Sequence, residues 1–281
     1  MPLSYFTPDP EDPATLHPTQ VAQSLWSDDQ LHGVAVGSLL ARAVEARVRD
    51  EGRTDLRAAR FTVDLFSAAR SRPTTTTTSV VRQGNRLCLV DVVLEQEGRP
   101  VARAGALFLA TGDPAPGAVW EPEGSPEPPP EELAPRTDRP RVPLFASEPG
   151  GWAPSFSDHQ NAGRKSTWQV GVPVVPGEKP SGFVAAAGIA DIASMVTNWG
   201  EGGIEQINTD VTLTLAREPD GIEIGLQARD RVSADGIAVG DVVVFDRTGR
   251  LGSVVVTSIA NTKRTVDLAG SQDDVRARRG A

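Results

Sequence analysis

Two aspartates carry most of the chemistry this sequence offers. Asp191 is the single charge in the otherwise apolar run from Phe183 to Trp199 (FVAAAGIADIASMVTNW). Burying an unpaired carboxylate is costly, so Asp191 must be paired, hydrogen-bonded or protonated; a strand hydroxyl or a basic residue would suffice as partner. Asp210 opens the alternating stretch Val211 to Leu215 (VTLTL), where it can take a proton from water, orient that water, or cap its own turn beside Asn208 and Thr209. A third feature is His32-Gly33, placed where a helix begins. Exposed N–H groups and the positive helix end suit an oxygen that gains charge, and His32 is either a binding and proton-transfer group or an ordinary turn histidine. No metal-ligand spacing, phosphate-binding loop or nucleophile elbow is present; Ser253 and Ser258 lack the flanking glycines of an elbow. The lone Cys88, in the apolar run Leu87 to Leu94, reads as a buried inert thiol and excludes an internal disulfide framework.

These groups need elements to hold them. Val36, Leu40, Ala43, Val44 and Val48 form one stripe, which predicts a helix from about Val34 to Arg49, preceded by Ser27, Asp28 or Asp29 as capping residues. Strands follow at 59–66, from Thr74 onward, at 86–95 and at 101–110, punctuated by the turns Gln83-Gly84-Asn85 and Glu97-Gly98. The segment 112–149 breaks every pattern; with PEPPPEE at 126–132 it reads as an extended linker across the surface. Beyond it come a strand at 166–175, a helix at 183–199 with no polar face, and strands at 204–215, 222–230, 237–246 and 251–260. A helix apolar all round must be enclosed on most sides. Residues 1–25 read as a surface arm, and His17 and His159 as surface histidines.

The chain has 281 residues, a net charge of −9, 39% apolar residues, 27 Gly and 23 Pro, which fits ordered domains joined by unstructured connectors. The acidic balance argues against a nucleic-acid surface but leaves room for local cations such as Arg164, Lys165 and Arg217 to meet phosphates. No apolar run reaches the ~18 residues of a membrane span, and no signal peptide opens the chain, so a cytoplasmic protein is expected.

The order of elements repeats. Asp64…Pro73 answers Asp210…Pro219, Asp91-Val92-Val93 answers Asp241-Val242-Val243, and Gly98-Arg99 answers Gly249-Arg250, at an offset of roughly 150 residues, far longer than a solenoid period. One helix wrapped by an antiparallel β-sheet, twice over, is an α+β tandem (double) hotdog fold. The expected organisation is an N-terminal hotdog at 1–112, a Pro/Glu-rich linker at 113–149, a C-terminal hotdog at 150–264 and a disordered tail at 265–281.

On these residues the sequence resembles the double-hotdog acyl-CoA thioesterases, the thioesterase II-like group. Trp26-Ser27…His32-Gly33 is similar to the family's approach to its first helix; Ile207-Asn208-Thr209-Asp210…Arg217…Pro219 to the strand bearing its catalytic aspartate; and Phe245-Asp246…Gly249-Arg250-Leu251 to a family hairpin. The resemblance implies hydrolysis of acyl-CoA to free acid and CoA by activated water, without a cofactor or metal. It implies catalytic roles for Asp210, Asp191 and Thr257, and substrate-binding roles for His32, Gly33, Val34, Asn208, Thr209 and Arg229. Val34 stands where the family has a second glycine, Arg229 where it has a hydroxyl residue, and Thr257, with Ser258 beside it, where it has a glutamine. Two further readings stay open: a non-catalytic acyl-CoA or lipid-binding protein, and a hydratase, which would need an Asp–His pair on the loop before the helix. A homodimer or higher homo-oligomer is expected, since exposed sheet edges or faces usually remain in this architecture.

Overall fold

The computed structural model describes residues 3–27, 29–261 and 265–270. Two short strands, β1 (Phe6–Pro8) and β2 (Leu16–Pro18), precede helix α1 (Gly33–Asp50). His32 caps that helix by accepting the Ala35 N–H at 3.0 Å, and Arg47 and Arg49 in its last turn suit the negative helix end. Strands β3 (Leu56–Leu65), β4 (Thr75–Gly84), β5 (Leu87–Gln96) and β6 (Arg99–Ala110) complete the first half. The second half contains β7 (Leu144–Ser147), β8 (Lys165–Val170), α2 (Gly182–Ile189), α3 (Ala193–Asn198), β9 (Trp199–Gly200), β10 (Gly203–Ile204), β11 (Gln206–Leu215), β12 (Glu223–Ala234), β13 (Ile237–Asp246) and β14 (Gly249–Ala260).

Ten of these strands form one antiparallel sheet in the order β4-β5-β6-β3-β11-β14-β13-β12-β8-β7. The two halves meet where β3 pairs with β11, with Thr62 opposite Thr212. Alternation assigns the faces. Phe61 and Val63, and Val211, Leu213 and Leu215, are buried in the core that also holds α1 and α2, while Thr62, Asp64, Thr212 and Thr214 take the opposite face. The helices run antiparallel against each other and touch through small residues. Gly37 lies on the Ala187 carbonyl, and a Cβ on Gly188 would come within 3.0 Å of the Val34 carbonyl oxygen.

The halves share their irregularities as well as their element order. The β3–β6 ladder slips between Ala58 and Arg60; the β11–β14 ladder slips between Asn208 and Asp210. A second slip between Leu94 and Glu95 is matched by one between Val244 and Phe245. Each bulge shifts which residues share a face, so its position is a property of the unit and not of chance strings.

Several expectations from the sequence are corrected. The long helix at 183–199 is broken by a 3-10 turn at Ala190–Ile192, and Asp191 lies in that turn. The N-terminal arm is not a surface strap: Tyr5 and Phe6 are buried, their N–H groups bonded to the Pro173 and Val174 carbonyls. The linker ends before 149, because Leu144–Ser147 adds an edge strand to β8. Its middle covers the outer face of the second half, where Ala134 packs with Trp168 and Phe245. His159 is buried, its Nδ1 3.0 Å from the Ser147 hydroxyl, because the irregular segment around it folds under Trp199. His17 is partly exposed and paired with Asp9. The tail does not become disordered at 265: Val266 pairs with Ile204, and Leu268 is buried beside it. Residues 271–281 and Asp28 lie outside the described residues.

Candidate active site

The 3-10 turn between α2 and α3 sets Asp191 against the first residue of α1. The carboxylate lies so close to Gly33 that a Cβ there would stand 2.0 Å from Asp191 Oδ1. Only glycine permits this approach, so Gly33 is required by contact and not by backbone conformation. Asn208, reaching inward from β11, donates its Nδ2–H to Asp191 Oδ1 at 2.8 Å. No cation takes part among the described contacts. Burial therefore dominates and pushes the Asp191 carboxyl from 3.8 up to about 6, against the opposing pull of the Asn208 hydrogen bond. A carboxyl titrating there is a competent base near neutral pH. The N–H groups of Gly33 and Val34 belong to the first turn of α1, where no helical carbonyl can receive them. They supply a positive helix end beside the carboxylate.

A second polar pair adjoins the first. Ser258 on β14 is the register partner of Asn208, and its buried hydroxyl accepts the Asn198 Nδ2–H at 3.1 Å. Asn198 Oδ1 in turn accepts from Arg231 Nε at 3.1 Å. The inner face thus brings together Asp191, Asn208, Ser258 and Asn198 beside Gly33. His32 is committed structurally: Nδ1 caps the helix and Nε2 lies 2.9 Å from the Val21 carbonyl oxygen, so the ring donates from Nε2.

The other expected residues stand elsewhere. Asp210 is opposite Asp64 and Thr257 in the sheet, on the face turned away from the helices. Asp64 on that face is ion-paired to the exposed Arg103. Thr209 occupies the bulge and donates its hydroxyl to Asp210 Oδ1 at 3.2 Å and to the Thr257 carbonyl at 3.3 Å. Arg229 lies at another bulge and is ion-paired to Asp241. The structure therefore brings Asp191, Asn208, Gly33 and Val34 together and leaves Asp210, Thr209, Thr257 and Arg229 on other surfaces. Ser258, considered only as the neighbour of Thr257, is the residue of that pair that faces inward. The signal was present in the parity Val254, Val256, Ser258. Asn198 and Arg231 carried no signal, since they meet the cluster only through tertiary packing.

The expected phosphate-binding cations are also engaged. Lys165 is buried, its Nζ donating to the Asn161 carbonyl at 2.6 Å. Arg164 lies 3.8 Å from Glu148. Arg217 makes a two-point pair with the buried Asp246 at 2.9 and 2.7 Å. Burial raises the Asp246 carboxyl, but the Arg217 hydrogen bonds, with the Asp220 and Thr248 N–H groups and the Thr248 hydroxyl, outweigh it and hold the group at about 2. No helix among the described residues is long and apolar enough to cross a membrane.

Comparison with known proteins gives the family. Residues 22–109 match the model for the acyl-CoA thioesterase N-terminal domain, and residues 113–256 match that for the acyl-CoA thioesterase C-terminal domain. No match was found among curated proteins. Among solved structures, a conserved protein with a hot dog fold from Alicyclobacillus acidocaldarius is similar, at 16% identity and a TM-score of 0.65 over 92% of this chain and 96% of that one. A putative thioesterase II from Thermobifida fusca is 17% identical with a TM-score of 0.60, over 92% and 96%. A tesB protein from Mycobacterium avium subs paratuberculosis is 14% identical with a TM-score of 0.59, over 88% and 92%. At these identities the structural likenesses show the fold, a hotdog with a large antiparallel sheet. The two domain models, spanning most of the sequence in family order, show that the chain belongs to the acyl-CoA thioesterase family, enzymes that hydrolyse acyl-CoA thioesters.

Proposed function

We propose that this chain hydrolyses acyl-CoA thioesters with a water polarised by Asp191, which Asn208 holds against the start of α1. The observation that carries this reading is the contact of the Asp191 carboxylate with Gly33, which puts a base titrating at about 6 beside the positive end of a helix. Asp191 accepts a proton as the water oxygen attacks the thioester carbonyl carbon. The charge that develops on the carbonyl oxygen faces the N–H groups of Gly33 and Val34. The C–S bond then breaks, the acid departs, and the CoA thiolate recovers the proton from Asp191. Ser258 and Asn198 extend the hydrogen-bonding surface available to the attacking water.

Asp210 is a structural residue in this scheme, since its strand partners place it with Asp64 on the far face. Replacing each aspartate by asparagine tests the assignment. Asp191→Asn is expected to lower kcat by about 10²–10⁴-fold, the usual worth of a general base, while Asp210→Asn hydrolyses like the parent. Loss of activity in Asp210→Asn with retention in Asp191→Asn would falsify the scheme. A parent that binds short, long and aromatic acyl-CoAs without hydrolysing any would favour acyl-CoA binding without catalysis. That reading draws on Arg229 and Thr257, where the family has a hydroxyl and a glutamine.

The recurrence of bulges and element order supports a tandem hotdog, with the first half closing at β6 and the second opening at β7. Ile207, Ile259 and Ile237 form a row across three adjacent strands on the outer face and are exposed among the described residues, which supports a homodimer or higher homo-oligomer. Light scattering that gives the mass of one chain would remove that part of the proposal.

A further inference from the structure

The end of the helix pair opposite Asp191 holds a cleft of about 190 Å³. Its floor is apolar: Val48, Leu56, Ala58, Phe108, Phe183 and Leu215. Both halves build it, at the convergence of the last turn of α1, β3, β6, the start of α2 and the end of β11. It occupies the position in the first half that the polar cluster occupies in the second. Ala58, next to the first bulge, pairs with Phe108, just as Asn208, next to the matching bulge, pairs with Ser258. Ser181 caps α2 by accepting the Val184 N–H, as His32 caps α1. Where one unit carries Asn208 and Ser258, the other carries a methyl and a phenyl group, and space remains open.

The cleft's polar groups are at its mouth. Glu45 accepts the Ser181 hydroxyl at 2.6 Å and stays on the wall. Arg49, Arg53 and Arg57 line the cleft with Glu45 and Glu218. Arg53 is spent on Asp55 and on the Gly84 and Asn85 carbonyls. Arg57 pairs with Glu218 at 3.0 Å, both about half exposed, and Arg49 lies 3.6 Å from Glu45 with most of its side chain in water. Such exposed pairs are weak and exchange readily for another anion.

We propose that this cleft is a second ligand site, which takes a short fatty carboxylate with its chain on the Phe108–Phe183 floor and its head at Arg49 and Arg57. The cleft is small, so a short aliphatic chain is its ligand and hexanoate its probe. Burial of each methylene is worth about 0.8 kcal/mol, so affinity rises about fourfold per carbon until the floor is full. The cleft's occupancy is independent of hydrolysis at Asp191.

Calorimetric titration of the full chain with butyrate, hexanoate and decanoate tests this. Hexanoate is expected to bind at one site about fifteenfold more tightly than butyrate, with decanoate gaining nothing further. Ala58→Leu, which fills the floor, should abolish the binding. Arg49→Glu, a surface change that leaves folding intact, should weaken it about tenfold. Both variants should hydrolyse octanoyl-CoA with the parental kcat, and Asp191→Asn should bind hexanoate as the parent does. Absence of hexanoate binding to the parent, indifference to chain length, or binding of parental strength in Arg49→Glu would overturn the proposal. So would binding lost in Asp191→Asn, which would place the carboxylate at the reaction site.

Discussion

Asp191→Asn separates the cost of a half-buried charge from its use. The substitution keeps the side chain's size and its ability to accept the Asn208 hydrogen bond, and removes the ionisable group. The carboxyl titrates at about 6 in the folded chain against 3.8 in water. With each tenfold change in proton affinity worth about 1.4 kcal/mol, ionised Asp191 costs the fold up to about 3 kcal/mol at pH 7.5. The sign follows from proton binding: between 3.8 and 6 the folded chain holds a proton that the unfolded chain has lost. Stability from this group is therefore complete below 3.8 and is lost as the pH rises through 6. The asparagine variant should be more stable than the parent by up to about 3 kcal/mol above pH 7, with the gap closing toward pH 4. Urea unfolding of both proteins at pH 4, 5, 6 and 7.5 measures this, and release of CoA thiol measures hydrolysis on the same preparations. The parent's kcat/KM should rise with pH through an inflection near 6. An asparagine variant no more stable than the parent at pH 7.5 would refute a desolvated carboxylate, and undiminished hydrolysis would refute its use as a base.

Three further substitutions bear on the same geometry. Gly33→Ala puts a methyl group on the carboxylate oxygen, so Asp191 must shift off the start of α1; hydrolysis should fall at least tenfold and thermal unfolding should move to lower temperature. Asn208→Ala removes the hydrogen bond that, among the described residues, holds the Asp191 carboxyl down, so the pH of half-maximal activity should move upward, read from the pH dependence of kcat/KM. Asp246→Asn breaks the two-point pair with Arg217 and should cost about 2 kcal/mol at pH 7, measured by urea unfolding. Because that carboxyl titrates at about 2 when folded and 3.8 in water, the parent's advantage should be complete above pH 4 and vanish as the pH falls toward 2.

Much of the fold could be read from local pattern. The stripe of α1, the alternation of β11, β13 and β14 and the turn glycines are short-range signals, and their recurrence exposed the repeat before any coordinates. Hydrophobic periodicity does not report chain segments that bury themselves against something distant. Tyr5 and Phe6, the edge strand Leu144–Ser147 and the buried His159 all belong to stretches without periodicity, whose partners are supplied by the rest of the molecule. The polar cluster divides in the same way. The sequence by itself determined that Asp191 sits alone on an apolar helix and that Val211, Leu213 and Leu215 alternate with threonines, while it was the sheet that turned Asp210, expected at the site, outward. Only the tertiary structure decided that the bulge at Thr209 lets Asn208 point inward and that the 3-10 turn carries Asp191 onto Gly33. A bulge inserts one residue without changing composition, and a contact between residues so far apart along the chain is decided by how the two helices cross.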